Sequence, residues 1–137
     1  MESSNSKRPP LKTLLVEDNV EYRGMLADLL HARFPEIEIY EADDGGAAID
    51  CVQMARPDLI FMDIQLSGDN GLQVTANIKK IDATVEVVIL TSMDIPEYRQ
   101  AAFRLGADSY ICKGSASCKL DVIRCTEATL RKCLRSH

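Results

Sequence analysis

The chain has 137 residues, a hydrophobic content of 46% and a formal net charge of −5. This length and apolar content suit one domain with a buried core. The negative charge argues against nonspecific nucleic-acid binding, which needs a basic face. Because the sequence has neither a long apolar run nor a signal-peptide core, we expect a cytoplasmic protein without membrane contact.

The chain then alternates between strand-like and helix-like segments. Residues 1–10 are polar and end in two prolines, which predicts a disordered N-terminal lead. Residues 11–137 are expected to form a single domain. Five apolar runs predict buried β-strands at about residues 12–16, 37–40, 59–62, 85–90 and 108–111.

Polar residues and prolines delimit the five predicted helices. Asn19 and Asp44 are positioned to cap the first two helices. Asp94 and Glu97 match a capping box around Pro96 for the fourth helix. The third helix is expected after the loop at residues 67–71, Gly106 is expected to end the fourth, and the fifth is expected over residues 117–134.

Repeated strand–helix units predict an α/β fold, with a doubly wound parallel sheet and helices on both of its faces. The strand-like runs are continuously apolar, as required for strands covered on both sides. In such sheets, ligands bind at the edge where the strands have their carboxyl ends.

Polar residues follow four of the five apolar runs. Glu17 and Asp18 follow the first run, and Asp63 follows the third. Thr91 and Lys113 follow the fourth and the fifth. We therefore expect three carboxylates, a hydroxyl and an ammonium to converge on one pocket.

The three carboxylates predict a magnesium site. Two like charges 4 Å apart repel by about 4 kcal/mol at an effective dielectric of 20. A hard divalent cation would relieve this repulsion, and Mg²⁺ prefers oxygen ligands of this kind.

Four segments resemble the receiver (response-regulator) domain of bacterial two-component signalling: LLVEDN, DLIFMDIQLSGDNGL, VVILTS and GADSYICK. The resemblance runs from about Leu11 to about Leu134. It implies a flavodoxin-like sheet with strand order 2-1-3-4-5. It also implies a phosphoacceptor switch rather than an enzyme, in which Asp63 takes a phosphoryl group from a phosphohistidine. The donor would be a sensor histidine kinase or a phosphotransfer protein.

The resemblance also implies roles for the other site residues. Glu17, Asp18, Asp63 and the backbone carbonyl of Gln65 would bind Mg²⁺. The family's pattern assigns phosphate binding to Thr91, Ser92 and Lys113, the conformational switch to Thr91 and Tyr110, and tuning of slow self-dephosphorylation to Gln65 and Met93.

Two positions depart from the family's pattern. Gly114 follows the lysine, where the family usually has a proline in a cis peptide bond, so the isomer of the Lys113–Gly114 bond is left open. Ser67 stands where the loop after the acceptor usually carries a proline.

Three alternatives compete with a phosphorylated switch. A haloacid-dehalogenase-like phosphatase also uses a strand-end Asp and magnesium, but it needs a second Asp two residues later, where this chain has Gln65. A flavodoxin-like cofactor binder would need a glycine-rich phosphate loop, which the sequence lacks. A receiver module that binds a partner without phosphorylation remains open.

The last predicted helix suggests a partner surface. Cys118, Val122, Cys125 and Cys133 fall on one side, while four larger apolar residues widen the arc: Leu120, Ile123, Leu130 and Leu134. We expect a homodimer or an output domain to use helix 4, strand 5 and helix 5, with cover by the chain itself as the alternative. The five cysteines lack metal-ligand spacing and are expected to be small buried apolar residues.

Overall fold

The computed structural model describes residues 10–135, so nearly all of the predicted lead lies outside the described residues. Five parallel strands form the main sheet, and two strands of two residues each form a separate hairpin. The strands are β1 (Lys12–Val16), β2 (Glu38–Ala42), β3 (Leu59–Met62), β4 (Gln65–Leu66), β5 (Asp69–Asn70), β6 (Glu86–Thr91) and β7 (Ser109–Cys112). The helices are α1 (Val20–Arg33), α2 (Gly45–Ala55), α3 (Gly71–Ile81), α4 (Pro96–Arg104) and α5 (Cys118–Arg135).

The main sheet has the order β2-β1-β3-β6-β7. With the hairpin β4–β5 left aside, this is the predicted order 2-1-3-4-5. The predicted α/β fold is therefore confirmed, and the chain order reverses between β1 and β3, where ligands bind in sheets of this kind.

The sheet separates two apolar cores. Alternate residues of each strand point to opposite faces, so Leu14 and Ile60 lie in one core while Leu15 and Phe61 lie in the other. Helices α2, α3 and α4 contribute to the first core, and α1 and α5 contribute to the second. Both faces of the strands are covered, which accounts for the continuous apolar runs.

Two predicted helix caps are confirmed and one is wrong. Asn19 accepts a hydrogen bond from the backbone of α1, and Asp44 does the same for α2. Helix α4 begins at Pro96, with Ile95 as the N-cap and without a side-chain cap. Since the fixed φ of proline suits the first helical position, the cap falls one residue after Asp94, and the predicted capping box with Glu97 does not form.

The buried face of α5 differs from the predicted one. Its buried residues are Cys118, Val122, Thr126 and Thr129. Both threonine hydroxyls donate to backbone carbonyls four residues earlier, which satisfies them inside the core. The buried face therefore includes two threonines, while Cys125 and Cys133 pack half-buried against the same core.

The cysteine prediction holds for one residue. All five thiols are free, but only Cys118 is buried, and the other four are half-buried. The Lys113–Gly114 bond is trans, because the described residues contain no cis peptide bond. No helix of residues 10–135 combines the length and apolarity that a membrane span requires.

Candidate phosphoacceptor site

The predicted site residues meet at the carboxyl-terminal edge of the main sheet. Three site residues each come directly after a strand: Glu17 after β1, Asp63 after β3 and Lys113 after β7. Each donates its backbone N–H to the last residue of the neighbouring strand, over 3.0, 3.0 and 2.8 Å respectively. The hydrogen-bond ladder thus continues one step beyond the strands and fixes where these side chains begin.

The three carboxylates form one cluster. One oxygen each from Glu17, Asp18 and Asp63 lies within 4.8 Å of the others. Glu17 and Asp63 are buried, whereas Asp18 is more exposed. Burial raises the pKa of the Glu17 carboxyl above its usual range, although a hydrogen bond from Lys113 acts in the opposite direction.

Lys113, which follows β7, also joins this cluster. Its ammonium donates to Glu17 Oε1 over 2.6 Å and to Asp63 Oδ2 over 3.1 Å. Burial acts to lower the pKa of Lys113, but the hydrogen bonds to these carboxylates outweigh it and the pKa is raised. The lysine therefore carries its charge at neutral pH, as the sequence-based role requires.

Backbone hydrogen bonds in the loop after β3 position Asp63. The backbone N–H of Gln65 donates to Asp63 Oδ1 over 3.3 Å, and that of Gly71 donates to the carbonyl of Ile64 over 2.7 Å. A Cβ at Gly71 would lie 1.9 Å from the carbonyl oxygen of Asp63. Position 71 therefore requires glycine, a constraint that its place in the predicted loop at residues 67–71 does not reveal.

Ser67 also belongs to the site. Its hydroxyl donates to Asp18 Oδ2 over 3.0 Å. In the sequence, Ser67 stands out only as a departure from a usual proline, and nothing pairs two residues 49 positions apart. The hydrogen bond ties the β3–α3 connection to the acidic pair after β1.

Thr91 and Tyr110 are connected through Met93. Thr91 is fully buried, and its Oγ1 accepts from the backbone N–H of Met93 over 3.2 Å. The Tyr110 hydroxyl donates to the carbonyl of the same Met93 over 2.6 Å. The ring of Tyr110 is buried, so this predicted switch residue points inward in this structure. Ser92, which lies between Thr91 and Met93 in the chain, is exposed.

The family model described as the response regulator receiver domain matches residues 13–123. The chain belongs to the response regulator receiver domain family. It is 36% identical over 103 residues to the sensory transduction protein LytT of Bacillus subtilis, covering 75% of this chain but only 42% of LytT. It is 33% identical to the chemotaxis protein CheY of Halobacterium salinarum, covering 74% of this chain and 83% of CheY.

A solved structure shows the same fold. The phosphorylated cyanobacterial phytochrome response regulator RcpA superposes with a TM-score of 0.79 at 25% identity, covering 88% of this chain and 94% of RcpA. Since this chain spans less than half of LytT, activities of longer relatives that depend on their remaining parts are not transferred to it.

Cavities lie at both edges of the sheet in the described part of this receiver domain. One of about 280 Å³ lies between the β4–β5 hairpin and the β6–α4 connection, and Gln65, Met93 and Tyr98 are among its lining residues. Both predicted rate-tuning residues thus border the same cavity. A larger cavity of about 430 Å³ lies at the opposite edge of the sheet, beside Leu11 and Val85, and contains none of the predicted site residues.

Proposed function

We propose that this receiver domain is the phosphoacceptor switch of a two-component phosphorelay. Asp63 would take a phosphoryl group from a phosphohistidine of a sensor histidine kinase or phosphotransfer protein. The observation that carries the proposal is one ammonium, from Lys113, between two buried carboxylates at the switch point of the sheet. The proposal takes residues 11–137 as one cytoplasmic domain that makes no direct contact with nucleic acid.

The chemistry follows from the residue types. An oxygen of the Asp63 carboxylate attacks the phosphorus, a P–O bond forms, and the P–N bond to the donor imidazole breaks. The imidazole leaves with the electron pair of that bond. An ionised carboxylate needs no general base, so positioning and charge stabilisation supply the catalysis. Lys113 neutralises a phosphoryl oxygen, and the hydroxyls of Thr91 and Ser92 donate hydrogen bonds.

The acidic cluster fits the magnesium ion that receiver domains bind at their acidic pocket. Glu17, Asp18, Asp63 and the backbone carbonyl of Gln65 would hold it, since Mg²⁺ prefers oxygen ligands and retains several waters. When bound, the ion supplies positive charge against the carboxylates and the phosphoryl oxygens. The repulsion within the trio and the buried position of two of its members support this assignment.

The phosphorylated state would be reversed slowly by the domain itself. Gln65 and Met93 border the cavity beside the loop of Asp63, where they can admit or exclude the attacking water. The activity of the chain on its own would then be limited to slow self-phosphorylation from small donors and slow self-dephosphorylation. Exchange of Met93 for a smaller residue should change the hydrolysis rate while leaving the initial phosphorylation in place.

The proposal is tested by incubating the protein with Mg²⁺ and acetyl phosphate, followed by intact mass measurement. Wild type should gain the mass of one phosphoryl group, and Asp63→Asn should gain none. The matched control is Asp50→Asn, which removes an exposed carboxylate of α2 and should be phosphorylated like wild type. Undiminished phosphorylation of Asp63→Asn would overturn the assignment of the acceptor.

A second use of the same fold is binding of a partner without phosphorylation. All the expected site residues are present, and the carboxylates and the ammonium lie together, which favours the phosphorylated switch. The phosphatase alternative has less support, because the Gln65 amide cannot act as an acid or base at the position that chemistry requires. A wild-type protein that takes no phosphate from any small donor would favour partner binding alone.

The output would pass through α4, β7 and α5. The guanidinium of Arg99 in α4 lies 5.3 Å from the centroid of the Tyr110 ring and 5.9 Å from that of Phe103. Phe103 and Leu120 are large apolar residues that remain exposed. A change at Thr91 can therefore reach the surface through Met93 and Tyr110, where a second receiver or an output domain would bind.

Sedimentation velocity with and without beryllofluoride tests this surface. Ile123 lies half-buried on α5, at the proposed partner surface. If wild type associates and Ile123→Glu abolishes the association, the result would support this surface. Thr91→Ala should still be phosphorylated but should no longer couple phosphate to association. Phosphate-dependent NMR shifts around Tyr110 that persist in Thr91→Ala would contradict the coupling.

A further inference from the structure

Tyr22 lies next to the phosphoacceptor site although the family resemblance gives it no role. It occupies the first turn of α1, where its backbone N–H donates to the Asn19 cap over 2.9 Å. Asn19 directly follows the acidic pair, so the cap fixes the tyrosine at a set distance from the carboxylates. The side chain is half-buried.

The side chain of Tyr22 contacts two parts of the molecule at once. The ammonium nitrogen of Lys113 lies 4.3 Å from the centroid of its ring. The hydroxyl lies 3.8 Å from the sulfur of Cys118, the first residue of α5, which is buried. Tyr22 therefore spans from the start of α1 to the connection between β7 and α5, with the lysine on its face.

The ring completes the surroundings of the ammonium. A lysine ammonium has three N–H groups, and the oxygens of Glu17 and Asp63 account for two of them. The negative face of an aromatic ring attracts a cation at this distance, most strongly where water is excluded. Three negative or electron-rich groups thus surround one positive charge.

The contact with the ring affects the position of the ammonium between the two carboxylates. Glu17 is the nearer partner at 2.6 Å, and Asp63 is the farther one at 3.1 Å. Lysine has a long flexible side chain, so without a third contact the ammonium can follow Glu17 or turn toward solvent. The ring of Tyr22 supplies this third contact, and it is held at both ends, by the Asn19 cap at its backbone and by Cys118 at its hydroxyl.

We propose that Tyr22 is a positioning residue that holds the Lys113 ammonium beside Asp63 through the face of its ring. This inference rests on the proposed phosphoacceptor function. Tyr22 touches neither the phosphoryl donor nor the acceptor oxygen and acts only through the lysine. The hydroxyl contact with Cys118 orients the ring, but the face of the ring is the active element.

The test measures the rate of phosphorylation by acetyl phosphate in Tyr22→Leu and Tyr22→Phe. Tyr22→Leu should slow the reaction about 2- to 30-fold, the range that a cation–π contact of this kind produces. Tyr22→Phe keeps the ring and should stay within about twofold of wild type. The matched control is Tyr40→Leu, which removes a half-buried tyrosine that is bonded to Glu38 in β2.

A double-mutant cycle separates positioning from general stability. In a Lys113→Gln background, Tyr22→Leu should cause no further loss, because the group through which it acts is gone. An equal loss in both backgrounds would overturn the proposal, as would a loss in Tyr22→Phe as large as that in Tyr22→Leu. If Tyr22→Leu fails to fold, pentafluorophenylalanine at position 22 keeps the shape but removes the negative face, and it should slow the reaction relative to Tyr22→Phe.

An NMR measurement distinguishes failure of this inference from failure of the proposed function. The ε-methylene protons of Lys113 should show an upfield ring-current shift that Tyr22→Phe keeps and Tyr22→Leu abolishes. If wild type shows this shift but is never phosphorylated, the phosphoacceptor function fails while the contact stands. If wild type is phosphorylated but shows no such shift, the positioning role fails.

Discussion

Gly71→Ala should damage the proposed phosphoacceptor site without removing any of its chemical groups. A Cβ at this position would lie 1.9 Å from the carbonyl oxygen of Asp63, whereas real contacts of a Cβ essentially never fall below 3.0 Å. The two atoms must therefore move apart by about 1.1 Å. The neighbouring atoms are also backbone, namely the carbonyl carbon of Asp63 and the Cα of Ile64, so no rotamer change can relieve the clash.

The size of the effect follows from this geometry. Overpacking of a well-packed site costs about 1–3 kcal/mol, and a clash between backbone atoms belongs at the upper end. A loss of about 3 kcal/mol should lower the thermal midpoint by roughly 10 °C for a domain of this size. A displacement of the acceptor of about 1 Å can slow a positioned reaction by about 100-fold. Asp63 would also move relative to Lys113, to which it is bonded over 3.1 Å.

The assay combines urea unfolding with the phosphorylation rate from acetyl phosphate. The matched control is Gly24→Ala in the interior of α1, where a new Cβ would meet no atom within 4 Å. Alanine is the better helix former, so the control should gain up to about 1 kcal/mol. A Gly71→Ala protein with the wild-type urea midpoint and phosphorylation rate would refute the close approach of these two backbone segments.

Three further predictions concern single groups. Thr13→Val should raise the free energy of unfolding by about 1 kcal/mol, measured by urea unfolding, because the fully buried Thr13 hydroxyl has no hydrogen-bond partner within residues 10–135. Asp18→Asn should raise the thermal midpoint in EDTA by a few degrees, since it relieves part of the repulsion, and should abolish the stabilisation by Mg²⁺; an unchanged magnesium response would contradict the ligand assignment. Burial raises the pKa of the Cys51 thiol, so at pH 8 its alkylation by iodoacetamide should be slower in the folded protein than in urea. The alkylation rate of the folded protein, followed by peptide mass spectrometry, should continue to increase above pH 8. Equal rates in the folded and unfolded chain would contradict this.

The strand-end residues could be predicted from the sequence because a parallel sheet places them by backbone alone. An apolar run of the right length fixes where a strand ends, and Glu17, Asp63 and Lys113 each come next in the chain. Their backbone hydrogen bonds to neighbouring strands leave little freedom in where the side chains start. Convergence of these residues therefore needed only the fold, which the repeated strand–helix pattern predicts.

Contacts that depend on side-chain reach could not be predicted in this way. Tyr22 has an apolar spacing typical of a helix face, and its contact with Lys113 joins residues far apart in the chain. The hydrogen bond from Ser67 to Asp18 depends on the conformation of the β3–α3 loop. This loop includes a hairpin of two-residue strands that no sequence pattern predicts. The apolar pattern of α5 also omitted Thr126 and Thr129, which enter the core because their hydroxyls bond to backbone carbonyls four residues earlier.

Some site residues are positioned by the backbone and others by side-chain contacts. The backbone ladder determines where the carboxylates lie, and the carboxylates repel one another wherever no cation lies between them. In the proposed phosphoryl transfer, the positive charge beside Asp63 is that of Lys113, whose side chain has four methylene carbons and no backbone constraint beyond its first atom. Its position is set by neighbours, one of which is the ring of Tyr22. Under the proposed function, residues that touch the lysine but not the phosphate are therefore expected to change the phosphorylation rate while every residue of the family's pattern stays the same.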